Sequence, residues 1–122
     1  MSDKDIVRYS DAELEEFREL ITKKIAKAKK ELGYYNEQIH QLSESENRFS
    51  SLEDGSVTLE KENISQMAAR QMKYIQHLEN ALIRIQNKTY GICRETGKLI
   101  PKDRLRAVPH ATLSVEAKNK QK

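Results

Sequence analysis

Few side chains in this 122-residue chain could do chemistry, and their spacing limits what that chemistry is. Cys93 is the only cysteine, so no internal disulfide can form. Glu53 and Asp54 adjoin Gly55 inside a serine-rich stretch at 43–57, a composition that favours turns. An acidic pair there presents charge at a loop tip, or holds a cation for a partner. Lys98, Lys102, Arg104, Arg106 and Lys118 are the cations that could track phosphates. No Ser/His/Asp or Cys/His set has supporting context and no glycine-rich phosphate loop occurs, so the chain does not read as an enzyme.

The composition says what must position these groups. The chain is 34% charged and 37% hydrophobic, with 4 Gly, 2 Pro and no Trp. That is polar for a compact globule but rich in helix-forming Leu, Ile, Glu, Lys and Arg, which favours long exposed helices. The formal charge of +3 conceals an asymmetry. Residues 88–122 hold nine basic against three acidic side chains, and the remainder is net acidic. One end therefore suits an anionic partner, nucleic acid or an acidic protein surface. The opening MSDKDIVRYS lacks the apolar core of a signal peptide. No window approaches the ~18 apolar residues that span a membrane, and the expected location is cytoplasmic.

Ser10 and Glu13 form a capping box, with Tyr9 and Leu14 as its hydrophobic staple. A helix is predicted from about residue 11 to the mid-40s. Within it Ile21, Ile25, Ala28, Leu32, Tyr35, Ile39 and Leu42 alternate at spacings of four and three, the seam of a coiled coil. Ile64, Ala68, Gln71, Ile75, Leu78, Leu82 and Ile85 repeat the pattern. The two arms fold back as an antiparallel hairpin, in a register pairing Ile21 with Ile85, Leu42 with Ile64, and Tyr35 with the polar Gln71. Two helices alone bury only a narrow stripe. Leu14, Phe17, Leu20 and Ile83 are the apolar residues expected to receive a brace at the open end.

The fold class is thus mainly α: a long antiparallel coiled-coil hairpin with a small lobe and a short C-terminal helix. The expected divisions are a lead-in at 1–10, a hairpin at 11–88 with arms at about 11–45 and 58–88 and a tip at 46–57, a lobe at 89–111, and a final helix and tail at 112–122.

From Thr89 the helical period stops, and the lobe is too small for an independent core, the kind of segment that a metal or disulfide usually staples. The run YGICRETGKLIPKDRLRAVPHATLSVEA, following a helical hairpin, resembles the C-terminal zinc finger of the DksA/TraR family of transcription regulators. The family pattern C-x2-C-x17-C-x2-C falls on Cys93, Thr96, Ser114 and Ala117. Only Cys93 keeps its ligand, and one thiolate cannot supply a four-donor zinc site. The lobe is therefore read as a degenerate zinc finger of the zinc-independent branch, with no metal and with Thr96, Ser114 and Ala117 filling the metal's volume.

What the resemblance implies is a monomeric regulator that inserts its hairpin into the secondary channel of bacterial RNA polymerase and alters promoter-complex stability, often with the alarmone ppGpp. The tip motif D-x-x-D-x-A of proteobacterial members falls on Ser50, Glu53 and Gly55, leaving Glu53 with its neighbour Asp54 as the effector tip. A polymerase-contacting Arg matches Arg70. Of the alarmone positions, two on the second arm fall on Tyr74 and His77, one before the lobe proline on Val108, and one after the last ligand on Lys118. His77 and Lys118 are the possible alarmone contacts, and two basic groups are missing, which weighs against ppGpp binding of that type. The competing readings are a non-catalytic coiled-coil adaptor and a DNA-binding module. No recognition helix with base-reading side chains occurs, so direct sequence-specific DNA binding is not expected.

Overall fold

The structure is a computed structural model that describes residues 8–48 and 56–120, the side chains of 46–48 and 56 excepted. Glu53 and Asp54, with the turn expected around them, lie outside the described residues. Four helices follow in order: α1 (Asp11–Arg48), α2 (Ser56–Gln86), α3 (Lys102–Ala107) and α4 (Val115–Lys120). Among the described residues the single β-type pairing is an antiparallel bridge between Ile92 and Leu99.

α1 begins at its capping box. The Glu13 amide donates to Ser10 Oγ (3.1 Å) and the Ser10 amide to Glu13 Oε1 (3.0 Å), so two otherwise orphaned donors are satisfied reciprocally. α2 ends in a left-handed residue, Lys88 (φ 66°). The Asn87 and Thr89 amides there return to the carbonyls of Ile83 (3.0 Å) and Arg84 (2.9 Å), closing the helix as a C-terminal cap does. Lys88 Nζ meets Asp11 Oδ1 at 2.8 Å.

The chain divides into two units, one of residues 25–76 and one of the described residues up to 24 and from 77 onward. In the first, Ile25 and Ala28 of α1 and Ala68 and Ile75 of α2 are buried. Leu32, Tyr35, Ile39, Leu42 and Ile64 are only half-buried, as expected where one helix packs on one other. The polar seam residue Gln71 does not bond Tyr35. Its side-chain amide donates to the Ala28 carbonyl (3.2 Å) and to Glu31 Oε2 (3.0 Å). The expected register is corrected accordingly: Gln71 lies beside Ala28, seven residues before Tyr35. A shift of one heptad leaves the same seam facing inward, so the hydrophobic pattern alone does not distinguish the two registers.

In the other unit the core draws on Leu14, Phe17 and Ile21 of α1, Leu78, Ala81 and Ile85 of α2, and Tyr90, Cys93, Ile100, Leu105, Pro109, Leu113 and Ala117 beyond them. Phe17 stands between two tyrosine rings, its centroid 5.9 Å from Tyr9 and 5.3 Å from Tyr90. Leu14 and Phe17 receive the lobe as expected and Leu20 is half-buried, but Ile83 is 55% exposed. Two residues at 100° per step put Ile83 across the helix from Ile85, on the solvent side.

Candidate functional site

The lobe folds around its backbone turns. The Cys93 amide donates to Lys98 O (2.8 Å), the Gly97 amide to Cys93 O (2.8 Å) and the Ile100 amide to Gly91 O (2.7 Å). Tyr90 Oη donates to Pro109 O (2.8 Å), and Tyr9 Oη, from before α1, donates to Ile100 O. Arg84 of α2 reaches the His110 carbonyl (3.3 Å), and Arg104 Nε the Leu113 carbonyl (2.9 Å). Lys102 at the start of α3 pairs with Glu13 of α1 at 2.6 Å. That pairing, with the Ser10 bonds, holds the Glu13 carboxyl down at about 2. Tyr9 was legible only as a staple residue, and nothing in the local pattern marked its bond to Ile100, ninety-one residues away. Arg84 carried no sequence signal of its own, and Arg104 stood out only as one of the lobe's cations.

Three of the four positions aligned with the zinc pattern form one hydrogen-bonded cluster. The Ser114 amide donates to Cys93 Sγ (3.4 Å), and Ser114 Oγ lies 3.8 Å from that sulfur. The Ala117 amide donates to Ser114 Oγ (3.1 Å) and the Lys98 amide to Thr96 Oγ1 (3.2 Å). Cys93 has no solvent-exposed surface. Its thiol is nonetheless lowered to about 6, first by the Thr96 side chain and then by the Ser114 amide, and desolvation opposes these bonds without outweighing them.

A pH dependence follows, with its sign fixed by that lowering. A thiol at about 6 in the fold and near 9.0 in the unfolded chain stabilises the fold fully above the higher value, and the stabilisation is lost as pH falls towards the lower. The melting temperature of the wild type relative to Cys93→Ser should therefore rise between pH 6 and 9. Thiolate absorbance should titrate near 6; a midpoint near the unfolded chain's 9.0 would mean that the sulfur does not accept these bonds.

The C4 pattern implies zinc, and the donor set does not suit it. One thiolate, two hydroxyls already accepting backbone amides, and the methyl group of Ala117 do not make four donors. Among the described residues no group of three or more His, Cys, Asp or Glu converges elsewhere.

The remaining predicted positions are spread out. Arg70 is exposed on α2 within residues 25–76. His77 stacks on His110, with ring centroids 5.4 Å apart and planes 7° from parallel. Burial first, then the neighbouring His77, Arg84 and Arg104, holds His110 below the ordinary histidine range. Lys118 is exposed on α4, its amide bonded to Ser114 O (2.9 Å). No helix among the described residues is long and apolar enough to cross a membrane.

Residues 88–122 match the prokaryotic DksA/TraR C4-type zinc finger. Over 95 residues the chain is 28% identical to general stress protein 16O of Bacillus subtilis, covering 78% of this chain and 58% of that protein. Over 51 residues it is 47% identical to the RNA polymerase-binding transcription factor DksA of Caulobacter vibrioides, covering 42% of this chain and 36% of that one. The chain thus spans less than two thirds of the length of these curated relatives. Among solved structures, that of transcription factor DksA2 from Pseudomonas aeruginosa superposes with a TM-score of 0.79 at 25% identity, over 90% of this chain and 83% of the other. The lobe is thus matched in sequence by the DksA/TraR zinc finger, and the chain resembles DksA2 in fold.

Proposed function

We propose that this protein regulates transcription by binding RNA polymerase, entering its secondary channel with the α1–α2 hairpin and modulating promoter complexes with the tip that carries Glu53 and Asp54. The observation that carries this reading is the fold shared with DksA2 over nine-tenths of the chain, with support from the polymerase-binding relative to which 51 residues of the chain are 47% identical. Arg70 is the proposed polymerase contact on α2. The protein acts as a monomer in the cytoplasm, catalyses nothing itself and reads no DNA sequence. The lobe works without zinc, since the Cys93–Ser114 bonds connect two segments a metal would otherwise join. Alarmone binding through His77 and Lys118 is not part of this reading. His77 is engaged with His110, and two of the family's basic groups are replaced by His77 and Val108.

The test is binding of the purified protein to RNA polymerase from the same cell, followed by transcription from a ribosomal promoter. The Glu53→Asn, Asp54→Asn double variant should bind as the wild type does and lose most of the effect on transcription. If the wild type does not bind polymerase, the family likeness extends to the fold alone and the adaptor reading replaces this one. If it binds and the tip variant regulates normally, the effector lies elsewhere on the hairpin.

A further inference from the structure

The three aligned positions that lack cysteine share a second property: Thr96, Ser114 and Ala117 all line one open cleft of about 590 Å³ between the 95–101 turn and α4. This is within the size range of small-molecule sites. Leu99, Pro101 and Val115 give it apolar walls. Val115 is 53% exposed, a large apolar side chain left at the mouth. Lys98, Arg104 and Lys120 also line it, and none of these three cations forms an ion pair with a described residue. They outnumber the two carboxylates there, Glu95 and Glu116, in a segment of the chain that is itself strongly basic. Arg104 is held in place through its Nε bond to Leu113 O (2.9 Å), which leaves its terminal amino groups to meet a ligand.

We propose that this cleft binds a small organic anion, a phosphate or carboxylate carrying a short apolar group. The anionic head meets Lys98, Arg104 and Lys120, and the apolar group lies along Leu99 and Val115. A wholly apolar ligand would leave three cations unmatched, and an inorganic anion would leave the apolar walls wet. The hydroxyls of Thr96 and Ser114 supply the polar part of the lining. The inference rests on the lobe being metal-free and is independent of polymerase binding.

The test is an amide-shift titration of the full chain with four probes: hexyl phosphate, heptanoate, inorganic phosphate and hexanol. Hexyl phosphate, heptanoate or both should shift Thr96, Leu99 and Val115 saturably, and the two single-feature probes should bind at least about tenfold more weakly. Comparing the first two decides between phosphate and carboxylate. The Lys98→Gln, Lys120→Gln double variant touches no intramolecular side-chain bond and should melt as the wild type does while losing about tenfold in affinity. Val115→Asp should weaken binding by at least as much.

Equal binding of inorganic phosphate would reduce the cleft to a patch of positive charge and overturn the proposal. So would the absence of any saturable shift, or wild-type affinity in the lysine double variant. Zinc measured in the same sample separates the failures. Stoichiometric zinc would overturn the metal-free reading and this cleft with it; a zinc-free protein that binds neither amphiphile would overturn the cleft alone.

Discussion

Replacing Gly91 by alanine should destabilise the protein by roughly 2–4 kcal/mol, enough to lower the melting temperature by roughly 8–15 °C in a domain of this size. Two effects combine. Gly91 has φ of +79°, a conformation costly for any residue with a Cβ. An added Cβ would also stand 2.6 and 2.7 Å from Tyr9 ring carbons and 3.2 Å from Leu105 Cδ1. Tyr9 cannot withdraw cheaply, because its ring packs on Phe17 and its hydroxyl is bonded to Ile100 O. Gly97 provides the control. Its φ is +72° but nothing lies within 4 Å of its would-be Cβ, so Gly97→Ala should cost only about 1–2 kcal/mol for the backbone alone. Urea denaturation of the two variants checks this. Equal losses would show that the Tyr9 ring does not close over Gly91.

Leu78→Ala is the second large effect, expected at about 3–5 kcal/mol. Leu78 has no exposed surface, and it lies where α2 contributes to the same core as Phe17 and Tyr90. Leu82, one turn further along the seam, is only half-buried, because Ala81 beside it takes the fully buried position. Leu82→Ala should therefore cost about 1–2 kcal/mol. The same denaturation experiment separates them; a Leu78→Ala loss under 1 kcal/mol would mean that α2 does not present this face to the core.

The heptads of α1 and α2 were readable because a coiled-coil seam repeats often enough for its period to stand out, and the capping box marked the start of α1 to the residue. The register was not readable. Moving one arm by seven residues preserves every apolar contact type, and the choice rests on where one amide, that of Gln71, finds its acceptors. The lobe's kinship could be read from the order of its glycines, prolines and the one cysteine, and residues 88–122 match on that account. Its folding could not. The six residues of α3 are too few to show a period, and the Pro101 before them, which suits a helix start, reads equally well as a turn. The cleft also escaped notice, since its cations come from three separate segments and the substitutions at 96, 114 and 117 looked only like losses.

The unit that holds Tyr9, Phe17 and Ile21 is completed by Tyr90, Ile100, Leu105 and Ala117. Its first and last contributors are separated by nearly the whole chain, so closing it carries a large loop-entropy cost, which the helical unit of residues 25–76 lowers by bringing the strands of sequence back on themselves. On a ribosome, which releases the chain from its N-terminal end, the 25–76 hairpin can zip locally while Tyr9 and Phe17 still lack their partners. For that interval the aromatic face of early α1 stays open to chaperones, and maturation waits for α4 to emerge.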